Sequence, residues 1–250
     1  MISLAGSNII MPKDCAITIG KFDGLHKGHM SIISKLVSVA KAQRLASALL
    51  SFMPHPAAVL HNKEMPCILT SEEKRHILAD TGIDYYIEYP FTKELSKKAP
   101  HEFMGDVLKN QLRAKTLIVG QDYRFGADAK GDVTLAKKLG RALEINVQPM
   151  PILKCNTGEV SATKVRNLIA AGNLADAKKI LGRNFFIIGH VAQNGAIALP
   201  PNKLMPPKGD YIITVAPLSP PIPLTPLTPS AQQDPKGQPQ KVILHFHSKL

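Results

Sequence analysis

Gly20-Lys21-Phe22-Asp23-Gly24-Leu25-His26-Lys27-Gly28-His29 is the stretch whose reading decides the fold. It follows Cys15-Ala-Ile-Thr-Ile19, a short apolar run that reads as a buried strand. It precedes a segment from about Lys27 to Arg44 that carries Ile32, Ile33, Leu36, Val37 and Ala40 at helical spacing. Two histidines and two glycines, Gly24 and Gly28, therefore sit where a strand ends and a helix begins. Such a turn presents unpaired backbone N–H groups and the positive end of a helix dipole beyond the sheet. That is a site for phosphate. Glycine lets a ligand come close to the backbone, and imidazole adds donors that can carry charge. A plainer reading is a pair of helix-start histidines, one solvated and one packed. A zinc pair is another, but zinc takes four ligands and no Cys or acidic residue stands at matching spacing. Strand, glycines and helix fall in the order that phosphate binding needs.

Outward from this turn, the first 184 residues alternate strand and helix. Leu45–Phe52 reads as a second strand, which Met53-Pro-His-Pro56 breaks. Thr70-Ser-Glu-Glu73 is a capping box opening a helix to about Thr81. Strands are expected over Asp84–Glu88, Lys115–Gly120 and Leu143–Val147. Helices are expected over Pro100–Leu112, Gly131–Gly140, Ser161–Gly172 and Leu174–Leu181. The alternation predicts an α/β, Rossmann-like domain with a mostly parallel sheet and helices on both faces. Ligands on such sheets bind beyond the carboxyl ends of the strands. After Asn184 the texture changes. Phe185–Val191, Tyr211–Val215 and Val242–Phe246 read as strands. The run Ala216-Pro-Leu-Ser-Pro-Pro-Ile-Pro-Leu-Thr-Pro-Leu-Thr-Pro229 is too proline-dense for a sheet or helix and reads as an extended spacer. The expected organisation is a domain over 1–184 and a small, degenerate β-barrel-like tail over 185–250.

With 44% hydrophobic and 20% charged residues, the 250-residue chain has a globular composition. No apolar run reaches the length of a membrane span, and the N-terminus lacks the basic n-region of a signal peptide. Cys15, Cys67 and Cys155 are scattered and odd in number, which suits a reducing cytosol, so a cytoplasmic setting is expected. The formal net charge of +12 favours anionic partners. The lysines are dispersed, Trp is absent and aromatics are only 5%, so neither a nucleic-acid face nor a membrane face is expected. A small polyphosphate accounts for the charge equally well. Ser248-Lys249-Leu250 matches a peroxisomal address, a three-residue pattern that arises easily by chance. Oligomeric state has no signature in the sequence.

Three further segments carry candidate chemistry. Gly120-Gln-Asp-Tyr-Arg-Phe-Gly126 leaves a buried strand with an aromatic-Arg-aromatic tripeptide, or is an ordinary ordered loop. Ser161-Ala-Thr-Lys-Val-Arg166 opens a helix, either as a simple N-cap or as a grip on a phosphate chain through hydroxyls, N–H groups and an Arg one turn on. Phe52-Met-Pro-His-Pro56 either ends a strand or walls a flat ring pocket.

In order along the chain, Gly20–His29, Phe52–Pro56, Leu69-Thr-Ser-Glu-Glu-Lys74, Gly82-Ile-Asp84, Pro90-Phe91, Glu102-Phe103, Val119–Gly126, Gly131-Asp132, Ser161–Arg166 and Leu181-Gly-Arg183 together resemble the bacterial FAD synthetase family, the bifunctional riboflavin kinase/FMN adenylyltransferases. The resemblance implies a nucleotidyltransferase that joins FMN and ATP into FAD and pyrophosphate with Mg²⁺. By position it places His26, His29 and Arg166 in the catalytic set. It places Gly20, Phe22, Asp23, Gly24, Gly28, Ser161 and Thr163 around ATP and its phosphates. Phe52, Pro54, His55, Asp122, Tyr123 and Phe125 fall on the flavin side. It implies no protein cage for the metal, which travels with ATP.

The sequence also departs from that pattern. Glu159 stands where the family usually has Arg, Ala162 replaces a hydroxyl, and Lys21 stands where Asn is common. Residues 185–250 contain neither Glu nor Arg and lack the Gly-Phe-Pro-Thr-Ala-Asn motif. The tail therefore reads as a truncated, degenerate kinase module without kinase activity. Two other readings stay open. One is a related nucleotidyltransferase of the cytidylyltransferase or pantetheine-phosphate adenylyltransferase type. The other is a weakly catalytic flavin-nucleotide binding regulator.

Overall fold

The computed structural model describes residues 1–62, 65–155, 158–192, 195–218 and 241–249. The chain forms two compact units that interleave along the sequence. One comprises Met1–Phe22, His29–Met65 and Leu78–Ile152. The other comprises Asp23–Gly28, Pro66–Ile77 and Leu153–Leu250.

The first unit is built on a six-stranded sheet. Its strands are β1 (Ile2–Ala5), β2 (Cys15–Gly20), β3 (Ala46–Met53), β4 (Tyr85–Pro90), β5 (Ala114–Gly120) and β6 (Asn146–Met150). They lie in the order β1-β4-β3-β2-β5-β6, and every pairing is parallel. The expected α/β architecture is observed. β2 and β3 are buried on both sides, which is why they read as continuous apolar runs rather than alternating ones. Helix α1 (Lys27–Gln43) follows β2 and buries Ile33, Leu36, Val39 and Ala40. Short α2 (Pro56–His61) follows β3, starting on Pro56, whose missing N–H costs nothing at a first turn. Helix α3 (Ser71–Ala79), which belongs to the second unit as far as Ile77, opens on the expected capping box. The Thr70 N–H donates to Glu73 Oε2 at 2.8 Å, and the Glu73 N–H donates to Thr70 Oγ1 at 3.2 Å.

Helix α4 (Lys93–Lys97) precedes α5 (Pro100–Glu102), which continues as a π-helix over Phe103–Gln111. The predicted helix over 100–112 is thus present but wound more loosely. Helix α6 (Val133–Leu143) begins two residues later than predicted, because Asp132 caps it through Leu135 N–H at 2.8 Å. It also runs past Gly140, where an end was expected. A Cβ there would stand 2.5 Å from the Ile145 carbonyl oxygen, so this glycine serves close helix–strand packing rather than termination. β1 was not predicted; four residues with only Ser3 and Leu4 buried carry no periodicity to read.

The second unit contains the β7–β8 hairpin (Lys154–Cys155 and Gly158–Glu159), α7 (Ala162–Ala170) and α8 (Leu174–Leu181). It also contains an antiparallel sheet in the order β10-β9-β12-β11. These strands are β9 (Phe185–Val191), β10 (Ile197–Ala198), β11 (Tyr211–Pro217) and β12 (Lys241–Lys249). β9 and β12 pair from Lys241↔His190 to Phe246↔Phe185 and form the centre. The predicted spacer starts later than expected, since Ala216 and Pro217 still belong to β11. Among the described residues β11 pairs only with β12, and an edge position tolerates a proline that has no N–H to donate. Residues 219–229 of that spacer lie outside the described residues, as does Leu250 of the Ser-Lys-Leu end. Lys249 and Ser248 pair with Tyr211 and Ile212 in β12. No described helix is long and apolar enough to cross a membrane.

Candidate active site

The turn after β2 is strained. Gly24 takes φ +85°, and two non-glycine residues beside it also take positive φ, Phe22 at +46° and Leu25 at +40°. Such a backbone costs on the order of 1–3 kcal/mol per residue and persists only where surrounding groups over-determine it. Both side chains are fully buried, which anchors them.

Within the second unit, side chains fix the turn at two points. Asp23 Oδ1 accepts from the Ile68 N–H at 2.9 Å and the Leu69 N–H at 3.4 Å, and Oδ2 accepts from Arg166 Nη2 at 2.6 Å. Arg166 also donates to the Pro66 carbonyl. Arg183 Nη2 donates to the Gly24 carbonyl at 2.5 Å and Nη1 to the Leu25 carbonyl at 2.8 Å. A Cβ on Gly24 would meet Ile68 at 3.3 Å, and one on Gly28 would meet the His26 ring at 3.2 Å, so both glycines serve close approach. Burial, chiefly, pulls the His26 imidazole down to about 4, with nearby Arg183 acting in the same direction. His26 is thus a neutral donor at neutral pH rather than the charged one that imidazole chemistry allowed. Burial brings Arg183 down to about 10, so it stays a cation.

Ser161 is the N-cap of α7, its Oγ accepting from the Lys164 N–H at 3.3 Å; Thr163, in the first turn, is exposed. Both readings of this segment therefore share one residue: the hydroxyl is a cap, and the helix N-terminus it opens carries Arg166 one turn on.

In the first unit, Gly20 ends β2 and His29 stands in α1, its ring edge-on to Phe22 at 5.1 Å. Of the flavin-side candidates, Phe52, Tyr123 and Phe125 belong to an aromatic cluster. Phe52 packs against Phe91 at 5.4 Å, Phe103 at 6.4 Å and Tyr89 at 6.5 Å. Phe125 packs on Phe103 at 6.3 Å and stacks with Tyr123 at 5.3 Å and 11° between planes. Phe125 is buried, whereas Phe52, His55 and Tyr123 are half-buried, and Pro54 and Asp122 are exposed. Burial pushes the Tyr123 phenol above the ordinary tyrosine range. The His55 Nδ1 accepts from the Ala57 N–H at 3.2 Å and so caps α2. A Cβ on Gly120 would lie 2.7 Å from Asp122 Oδ1, so a larger residue there would push this exposed carboxylate aside.

Sequence reasoning passed over three residues. Arg183 was visible only as part of Leu181-Gly-Arg183. Glu73 was visible only as a helix cap. It is fully buried with Lys203: Glu73 Oε2 accepts from Lys203 Nζ at 2.5 Å and Oε1 from the Ile188 N–H at 3.0 Å, and Lys203 also donates to the Ile68 carbonyl at 2.6 Å. A single lysine among prolines gave no signal of this.

A parallel α/β sheet with a glycine-histidine turn ahead of α1 defines a Rossmann-like fold, a class whose ligands bind beyond the carboxyl ends of the strands. Residues 9–164 match the family model for FAD synthetase. A curated FAD synthetase of Listeria monocytogenes serovar 1/2a is 32% identical over 197 residues, 78% of this chain and 79% of that one. The bifunctional riboflavin kinase/FMN adenylyltransferase of Escherichia coli K12 is 35% identical over 179 residues, 71% of this chain but 57% of the relative's length. A crystal structure described as a macrolide-efflux protein from Streptococcus pneumoniae superposes with a TM-score of 0.80 over 100% of this chain and 91% of that one; at 22% identity the likeness carries the fold alone. The chain belongs to the FAD synthetase family.

Proposed function

We propose that this chain transfers AMP from ATP to FMN, giving FAD and pyrophosphate, and that it does not phosphorylate riboflavin. The observation that carries the reading is the strained, doubly tethered turn Phe22–Gly28 ahead of α1, in a chain whose family match covers residues 9–164. The reaction needs no covalent nucleophile. A phosphate oxygen of FMN attacks the α-phosphorus of ATP, and the bond to the bridging β-phosphate oxygen breaks as pyrophosphate leaves. Catalysis is then positioning together with stabilisation of charge on the phosphoryl oxygens. His26 and His29 supply imidazole donors, and Gly20, Phe22, Asp23, Gly24 and Gly28 shape the turn. Ser161 and Thr163 present the N-terminus of α7, with Arg166 behind them. Phe52, Pro54, His55, Asp122 and Tyr123 serve the flavin ring, with Phe125 supporting Tyr123 from the core.

Among the described residues, no three His, Cys, Asp or Glu side chains are grouped to hold a metal. Both Asp23 oxygens are already engaged. We also propose that Mg²⁺ enters with the ATP phosphates, where it would neutralise charge. We further propose residues 1–184 as the catalytic module, 185–250 as what is left of a kinase module, and a cytoplasmic setting. Of the two acids in 185–250, Asp210 is exposed at the start of β11 and Asp234 lies outside the described residues.

Incubating the full chain with Mg-ATP and either FMN or riboflavin, and chromatographing the flavins, tests the reading. FAD from FMN and no FMN from riboflavin are expected. Absence of FAD from folded protein at micromolar concentration overturns the activity; FMN formed above the no-enzyme control restores the kinase.

A further inference from the structure

Arg183 sits just past the C-terminal cap of α8, where Gly182 turns the chain at φ +79°. Its guanidinium meets three backbone carbonyls, those of Gly24, Leu25 and, at 3.4 Å, Leu181. Among the described residues no carboxylate forms an ion pair with it. Burial works against its charge and the nearby Glu73 carboxylate favours it, so the guanidinium stays cationic while its hydrogen bonds go to carbonyls. The carbonyl contacts have a geometric consequence. Peptide units are planar and trans, so the N–H of residue i+1 points opposite to the C=O of residue i. Holding the Gly24 and Leu25 carbonyls on one side turns the Leu25 and His26 N–H groups to the other. These two peptide units straddle Leu25, one of the strained residues.

We propose that Arg183 is a positioning residue for the ATP phosphates: it holds the Gly24 and Leu25 carbonyls to itself and so aims the N–H groups of the turn at a polyphosphate. This rests on the adenylyltransferase reading above. The planar fork matters because one guanidinium reaches two carbonyls at once, through Nη1 and Nη2, which a lysine ammonium on a flexible stem does not reproduce.

The test compares the full-length chain with its Arg183→Lys and Arg183→Gln variants. KM is measured for ATP and for FMN, and pyrophosphate binding is measured by calorimetry without turnover. Both variants are expected to raise KM for ATP and the Kd for pyrophosphate at least tenfold, with KM for FMN changing less than twofold. A merely structural role would lower the melting temperature and leave both KM values of the folded fraction unchanged; that result overturns the proposal. If the wild-type chain binds pyrophosphate but makes no FAD, the activity reading fails, and the binding arm alone decides on Arg183. A wild-type chain that binds no pyrophosphate overturns the proposal as well. Should both variants fail to fold, amide NMR of the wild-type chain decides. ATP is expected to shift the Leu25 and His26 amides, and a titration that moves other resonances but leaves these in place overturns the proposal.

Discussion

Asp23 and Arg166 form a largely buried ion pair, Oδ2 to Nη2 at 2.6 Å, across 143 residues of sequence. The pair joins two motifs that stand far apart in the chain, the glycine-histidine turn and the helix opened by Ser161. Arg166 has five N–H donors. One goes to Asp23 and one to the Pro66 carbonyl, so part of its donor set holds the turn.

Arg166→Ala is therefore expected to lower turnover by roughly 10²–10³, as loss of a phosphate donor does, and also to destabilise the fold. A double-mutant cycle with Asp23→Ala, read by chemical denaturation, should give a coupling of about 1–3 kcal/mol. Additive losses would show that the pair is not what fixes the turn.

The depressed imidazole of His26 predicts a pH dependence. The unfolded chain binds a proton at this residue near 6.5, and the folded one only near 4. The stabilising contribution is therefore complete above about pH 6.5 and is lost as pH falls toward 4; about 3 kcal/mol is at stake. His26→Gln should flatten the denaturation free energy between pH 6.5 and 4. A polyphosphate beside the ring should pull its titration back up. ATP binding near pH 5.5 is then expected to take up protons, measurable by calorimetry in buffers of different ionisation enthalpy. No proton uptake would remove His26 from the phosphate site.

Lys203 and Glu73 predict that the tail is not dispensable. Both side chains are fully buried, burial lowers the Lys203 ammonium below the usual lysine range, and Ile188 adds a backbone donor to Glu73. Lys203→Met leaves a buried carboxylate without its cation and should cost about 3–5 kcal/mol. Deletion of 185–250 removes both Lys203 and the Ile188 N–H. It also removes Asn202 and Leu204, which bond the Cys67 backbone at 2.7 and 2.8 Å. The shortened chain is expected to lose activity through loss of fold around residues 66–73, seen as a lower melting temperature and greater proteolysis there. A stable, fully active 1–184 fragment would contradict this.

Tyr123 and Phe125 should separate by depth. Phe125→Ala opens the core and is expected to cost about 3–5 kcal/mol. Tyr123→Ala, at a half-buried ring stacked on Phe125, should spare most stability and raise KM for FMN more than for ATP. A change confined to ATP would move this loop to the nucleotide side.

Much of this protein is legible in the sequence because the determining signals are local. β2, the turn from Gly20 to His29, α1, the capping box at Thr70 and the Ser161 cap each follow from apolar spacing, cap chemistry and glycine placement within a few residues. The parallel order of the strands follows from their alternation with helices. Long-range pairing decided the rest, and it leaves no local trace. β1 exists because four residues find the edge of β4. The burial of Glu73 with Lys203, the bridge from Asp23 to Arg166 and the hold of Arg183 on two carbonyls each join residues more than a hundred positions apart. A charged side chain on the page of a sequence reads as solvated surface by default. Only the folded chain shows which of these charges were withdrawn from water, and a withdrawn charge must find its partner wherever the fold places one.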